Sequence, residues 1–346
     1  MELRLTNNNF DFLRFLFALL VVISHAYALS GSTEDNVGIY KISNGQLTFS
    51  QIGLNGFFII SGYFIFKSLQ RSKSLLDYYK KRFLRLFPAL IIVLILTLFL
   101  APIIYVNKTP FLQNIEALTY LPYNLSLYGF QSGIKGIFDT NSYHSINGSL
   151  WTIRYEFTLY VALSILYCMK NKKKALTFLL SLAFFIFYML YLFLLPKLAG
   201  FSLFNLLGIH VLNLGAFFIA GSVLASLEFE KIKYKKWFLF LSLILLTFSI
   251  YFNFYDLTKH VLLPFFILLL GFSTIPGIKD FGNFGDASYG IYIYSFPIQQ
   301  SLMWFFKLDS YALMISSIPL SVILGYFSWH LIEKKALKLK LTKLEI

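Results

Sequence analysis

The sequence predicts an all-α fold: a polytopic membrane bundle of about ten transmembrane helices, with both termini in the cytoplasm. Three observations point there. Of 346 residues, 58% are hydrophobic and only 13% charged, where a soluble domain usually carries about 25% charged residues. The apolar residues fall in long runs, the pattern of membrane-spanning helices, and the mean hydropathy is +0.68. Lysine and arginine collect in short segments between the runs, alternating from one side to the other.

The first run, 12–30, follows Arg4 and Arg14. Ala26-Tyr27-Ala28 looks like a signal-peptidase site, but serial spans follow and the run carries polar residues, so it reads as a retained helix. Further spans are expected at 52–66, 86–106, 150–169, 175–195, 208–227, 237–254, 260–275, 287–306 and 311–332. The second and eighth are short and should tilt little. One face collects Arg4 and Arg14, seven basic residues in 67–85, four in 170–174, four in 228–236, Lys279, and five from Lys334 to Lys343, 23 in all. The other holds Lys41, Lys108, Lys135, Lys197, Lys259 and Lys307, while Arg154 lies within a span. The positive-inside rule puts the 23-residue face in the cytoplasm.

The longest polar stretch, about 107–148, has no strand-like repeat, so one membrane domain accounts for 1–346 with no appended soluble domain. A net charge of +14 would suit nucleic acid, but its placement follows topology and no nucleic-acid partner is expected. A single cysteine, Cys168, excludes an intramolecular disulfide and a multi-cysteine metal site. No metal site is expected. Most prolines lie at span ends, whereas Pro297 falls inside the ninth span and should bend or open it.

Polar residues inside spans cost about 2.5–3.5 kcal/mol on insertion scales, which makes each a functional candidate. Arg14 and His25 stand eleven residues apart on one helix face, about 16 Å along the axis. Arg14 alone reads as snorkelling to headgroups. An imidazole at the depth of His25 is a natural general base or proton relay. In the fourth span, Glu156 lies at a depth comparable to His25, and a carboxylate there would fix the imidazole tautomer. A salt bridge from Glu156 to Arg14 or Arg154 is an equal alternative. Thr152, Glu156 and Tyr160 recur at i, i+4 and i+8 on one face. At the cytoplasmic edge Arg82 and Arg85 form an i, i+3 pair suited to phosphate oxygens, while Lys80 and Lys81 read as topological charge beside anionic membrane lipid. The small residues of Gly56–Tyr63 suggest close helix packing. His144, His210, His260 and His330 show no ligand spacing.

Six segments in this order resemble the acyltransferase 3 family of bacterial integral-membrane O-acyltransferases that modify surface carbohydrates. They are Arg14 through His25, Phe57–Tyr63 (FFIISGY), Arg82–Pro88 (RFLRLFP), Ser149–Tyr160, Ser288–Tyr292 with Pro297, and Trp329 with Ile332-Glu333-Lys334. The resemblance covers nearly the whole chain. It implies acyl transfer from a cytoplasmic acyl-CoA, used as co-substrate and not bound tightly, to a sugar hydroxyl. It also implies catalytic roles for His25 and Arg14, and donor binding by Arg82 and Arg85, with Arg14 at the same mouth. Glu156 joins the catalytic set through its expected contact with His25. Ser61, Tyr63, Trp151, Arg154, Tyr160, Ser288 and Tyr289 are the candidate substrate contacts within these segments. Many members carry a histidine shortly before the span-nine proline, where this chain has Ser295-Phe296-Pro297. A mechanism needing that second histidine does not carry over. The function expected is an inner-membrane O-acetyltransferase acting on a surface polysaccharide or lipid-linked glycan such as O-antigen. A carbohydrate or lipid-linked-sugar transporter would also need ionisable residues in its spans, but no internal repeat is visible. A glycan polymerase would want larger outer loops.

Overall fold

The computed structural model describes residues 8–339, so Arg4, Lys340 and Lys343 lie outside the described residues. The described chain is helical except for its loops and one small antiparallel hairpin, Ser202–Leu203 with Leu206–Leu207. The principal helices are α1 (Phe10–Leu29), α2 (Phe49–Arg71), α3 (Leu75–Ile104), α4 (Ile115–Leu125), α5 (Ile153–Ser164) and α6 (Lys173–Met189). They continue with α7 (Gly208–Ser226), α8 (Lys235–Tyr251), α9 (Tyr255–Phe272), α10 (Ser288–Phe306) and α11 (Ser310–Ser328). Helical turns extend α6 to Leu198 and α11 to Lys338.

Among the described residues seven helices are long and apolar enough to cross a membrane: α1, α2, α3, extended α6, α7, α9 and extended α11. The chain is thus a multi-pass membrane protein by helix composition. The other three expected spans are helical but differ in kind. Span 150–169 is the 12-residue α5 between 3₁₀ turns at Gly148–Thr152 and Ile165–Met169. Helix α8 has 17 residues, about 26 Å at 1.5 Å per residue, against a hydrocarbon core of about 30 Å. Helix α10 is 19 residues long, but Ser288, Gln299, Gln300 and Ser301 dilute its apolar character. Helix α4 lies within the polar stretch where the sequence suggested no element.

The helices gather into two compact units. The first comprises residues up to Phe17, Val37–Tyr78 and Tyr155–Phe284; the second comprises Ala18–Asn36, Tyr79–Arg154 and Gly285 onward. In the first unit α2 and α7 meet backbone to backbone. A Cβ on Gly62 would stand 1.9 Å from the Phe218 carbonyl oxygen, and one on Gly221 would stand 2.2 Å from that of Ile59. Ser222 Oγ donates to the Gly62 carbonyl at 3.0 Å, so the crossing is also hydrogen-bonded. Of the small residues in the second span, Gly62 lets these backbones touch, while Gly56 makes room for the Phe17 ring. The N-terminal end of α1 closes α9: buried Asn9 donates through Nδ2 to the carbonyls of Leu270 (2.8 Å) and Ser273 (2.6 Å), and through its backbone to Gly271 (2.8 Å). Those carbonyls have no partner within a helix end.

The second unit is organised around α10. Pro297 has no N–H, so the helix cannot satisfy the carbonyl of Ile293, four residues earlier. Buried Asn147 supplies the missing donor, its Nδ2 lying 2.9 Å from the Ile293 oxygen. The opening of α10 expected at Pro297 is therefore filled by a side chain from the loop before α5. Gln299, fully buried, donates to the Val22 carbonyl (2.9 Å) and to Ser317 Oγ (3.0 Å), tying α1 and α11 to α10.

Candidate functional site

In the second unit His25 faces the edge of Phe296, with ring centroids 5.1 Å apart. Around it Ala26, Leu29, Phe296, Met303 and Leu313 form a buried apolar cluster. The His25 Nδ1 is buried and has no hydrogen-bond partner. Buried nitrogens are normally satisfied, and an exception calls for a reason. An imidazole nitrogen held open in an apolar wall can accept a hydroxyl proton, which is what a general base requires.

The same unit holds Arg85. Its guanidinium meets Asp286 Oδ2 at 2.7 Å and Glu333 Oε2 at 3.6 Å, and it lies 5.9 Å from the Tyr289 ring centroid. Each carboxylate is held in turn: Ser288 Oγ donates to Asp286 Oδ1, and Ser328 Oγ donates to Glu333 Oε1 at 2.9 Å. Tyr289 donates to the Leu86 carbonyl at 2.9 Å. Ser288 and Tyr289 thus order the surroundings of Arg85. Arg82 is buried. Trp151 is half-buried in the 3₁₀ turn before α5, where Thr152 pairs its hydroxyl with Tyr292 at 2.6 Å. That turn breaks the expected i, i+4, i+8 face at Thr152. Arg154 lies 5.3 Å from the Phe130 ring centroid.

In the first unit Glu156 Oε1 accepts from Ser61 Oγ at 3.0 Å and from the Tyr160 hydroxyl, and those two hydroxyls lie 3.3 Å apart. The i, i+4 pair of Glu156 and Tyr160 therefore acts together, and Tyr78 fixes that stretch by donating to the Tyr160 carbonyl at 3.0 Å. Arg14 pairs with Asp11 at 3.2 Å and lies 5.1 Å from the Phe64 ring centroid. Tyr63 donates to Glu230 Oε2, and Lys67 meets Glu230 Oε1 at 2.7 Å. Burial pushes the Glu230 carboxyl up, but Lys67 and Tyr63 outweigh it and hold it below the ordinary range. Next to it Lys173 and Lys231 lower Glu228 to about 2.

Sequence reasoning passed over Asp286, Glu230, Gln299 and Phe296. The signal for Gln299 was present, since an amide inside an expected span is a costly polar residue. Asp286 and Glu230 carried none, because both look like loop acids. His260 is fully buried, with Nε2 3.0 Å from Asn213 Oδ1, and serves the packing of α9 on α7. Among the described residues no three His, Cys, Asp or Glu side chains gather to hold a metal.

By its helices the chain belongs among multi-pass integral membrane proteins. Residues 7–330 match the acyltransferase domain of the acyltransferase 3 family, and the chain belongs to that family. It is a membrane acyltransferase, which sets the transporter reading aside. It is 30% identical to an O-acetyl transferase of Shigella phage Sf6 over 98% of this chain and 99% of that protein. It is 32% identical to nodulation protein 10 of Rhizobium leguminosarum bv. viciae over 46% of this chain and 44% of that protein. No solved structure matches it.

Proposed function

We propose that the protein is an inner-membrane O-acetyltransferase that moves an acetyl group from cytoplasmic acetyl-CoA to a hydroxyl of a surface polysaccharide or lipid-linked glycan such as O-antigen. The observation that carries the reading is likeness along the whole chain to a protein named as an O-acetyl transferase. The open nitrogen of His25 supports the chemistry. His25 takes the acceptor hydroxyl proton as the sugar oxygen bonds to the acyl carbon. The thioester C–S bond breaks, and the departing coenzyme thiolate is protonated as the imidazole gives up its proton. Arg14 and Glu156 complete the catalytic set, the latter with the hydroxyls of Ser61 and Tyr160. Arg82 and Arg85 hold the donor phosphates, together with Arg14. Tyr63, Trp151, Arg154, Ser288 and Tyr289 are the candidate substrate contacts in this reading.

In this reading the three helical stretches at α5, α8 and α10 complete ten crossings. The distribution of lysine and arginine, 23 on one face and six on the other, supports cytoplasmic termini. The test is transfer of radiolabel from acetyl-CoA by protein purified into liposomes supplied with membrane glycolipids. Label should pass to the glycan with wild type and stop with His25→Ala at equal protein amount. A His25→Ala protein that transfers at the wild-type rate removes the base assignment.

A further inference from the structure

The polar stretch before α5 has a built interior. Around α4 and the segment that follows it, a cleft of about 540 Å³ opens between Glu116, Lys135, Asp139, Tyr143 and His144. It is a broad, shallow opening at the surface rather than an enclosed cavity, of the kind that takes an extended chain. Its frame is held by side chains that turn inward. Buried Asn124 donates to the Tyr120 and Gln131 carbonyls, each at 2.9 Å, and Gln131 donates to those of Glu116 (2.8 Å) and Gly133 (3.0 Å). Gln300 of α10 donates to the Tyr143 carbonyl at 2.6 Å and to that of Ser145, while Asn141 donates back to the Gln300 Oε1 at 2.9 Å. The backbone is satisfied from within, and Lys135, Asp139, Tyr143 and His144 are left facing solvent.

The exposed groups suit one class of ligand. Glu116 Oε2 is occupied by the Lys135 N–H at 2.5 Å and Asp139 Oδ2 by the Gly136 N–H at 2.9 Å, which leaves one oxygen of each carboxylate for a ligand. Two such acceptors, an ammonium group and an exposed tyrosine ring match neighbouring hydroxyls and the apolar face of a sugar. The cleft is also close to the imidazole. The Tyr143 ring lies 6.0 Å from Phe296, whose ring in turn lies 5.1 Å from His25. Gly148 makes room for that ring, since a Cβ there would sit 2.7 Å from it. Tyr143 on the wall of the cleft and His25 thus both meet the ring of Phe296.

We propose that this cleft docks the carbohydrate acceptor and presents one hydroxyl past Phe296 to His25. The proposal rests on the reading of the chain as a carbohydrate O-acetyltransferase. It is tested with the full chain in nanodiscs and, as probe, oligosaccharides released by mild acid from the surface polysaccharide of the organism that encodes the protein and stripped of acetyl groups by base. Binding is followed by saturation-transfer-difference NMR, and transfer by radiolabel from acetyl-CoA. Asp139→Ala and Tyr143→Ala should weaken oligosaccharide binding at least tenfold and raise the acceptor KM in step, with the acetyl-CoA KM within twofold of wild type. Should either alanine variant fail to fold, Asp139→Asn and Tyr143→Leu provide the same comparison. Binding and acceptor KM that match wild type in all variants would overturn the cleft while leaving acyl transfer standing. No binding by wild type at millimolar probe would overturn it as well. Binding that depends on Tyr143 without any transfer would uphold the carbohydrate site and sink the acetyltransferase reading instead.

Discussion

Asn147 and Pro297 form a pair whose coupling can be measured. Asn147 Nδ2 satisfies the carbonyl that Pro297 leaves open on Ile293, at 2.9 Å, and its Oδ1 accepts the Ser149 N–H at 3.2 Å as the cap of the next turn. Both groups are buried. Asn147→Ala strands the carbonyl, at about 1–3 kcal/mol, and removes the cap, at about 1 kcal/mol. Polar contacts between membrane helices average nearer 0.6 kcal/mol because their partners find substitutes. Here Asn147 and Ile293 are both fully buried, so a total of about 2–3 kcal/mol is expected. Pro297→Ala returns an N–H that bonds Ile293 within the helix, and in that background Asn147→Ala should cost only the cap, about 1 kcal/mol. The four proteins, unfolded by denaturant titration in mixed micelles, close a double-mutant cycle with an expected coupling of about 1–2 kcal/mol. A coupling below about 0.5 kcal/mol would refute the argument, since Asn147 would then matter for reasons unrelated to the proline.

His25→Ala should lower acetyl transfer by about 10²–10⁴ with unchanged melting temperature, as loss of a general base does; single-turnover label transfer checks it. Arg85→Ala leaves Asp286 and buried Glu333 without their shared cation, at about 3 kcal/mol for a broken buried pair. Adding Glu333→Gln should restore thermal stability, and a donor KM that stays raised in the double variant would separate phosphate binding from folding. Gly62→Ala drives a Cβ to 1.9 Å from the Phe218 oxygen, so folded yield by size-exclusion chromatography should collapse, whereas Gly200→Ala, in open space, should be silent. Acid should destabilise through Glu228 and Glu230, whose carboxyls are held below the ordinary value in the fold. That stabilisation is complete above the unfolded carboxylate pKa near 4.5 and is lost as pH falls toward about 2. Melting curves of the Glu228→Gln/Glu230→Gln protein should therefore show a shallower acid limb than wild type.

What the sequence made legible depended on how local the cause was. Long apolar runs declare seven spans outright, because insertion is decided by composition over about 20 residues. The small residues around Gly62 announced a close approach, though not that its partner would be α7. Pro297 announced an opening in α10, but the donor that fills it stands 150 residues earlier and has no local mark. Arg82 and Arg85 read as a phosphate fork, whereas the carboxylates beside Arg85 come from positions 286 and 333. Glu156 was singled out by depth alone, which carried no mark of the Ser61 and Tyr160 hydroxyls that its carboxylate accepts from. The polar loop looked shapeless because single amides joined to distant carbonyls, rather than a repeating pattern, give it form.

Those amides divide the loop into two sets of residues with separate duties. Asn124, Gln131, Asn141 and Gln300 hold the backbone, and none of their bonds involves the side chains of Lys135, Asp139, Tyr143 or His144. Asp139 alone serves both sets, since its Oδ2 accepts the Gly136 N–H; Lys135, Tyr143 and His144 can be exchanged without removing a hydrogen bond from the frame, much as a tool head is changed on a fixed handle. If the cleft is the acceptor site proposed above, selectivity is set at these few exposed positions while the imidazole that meets Phe296 stays where it is.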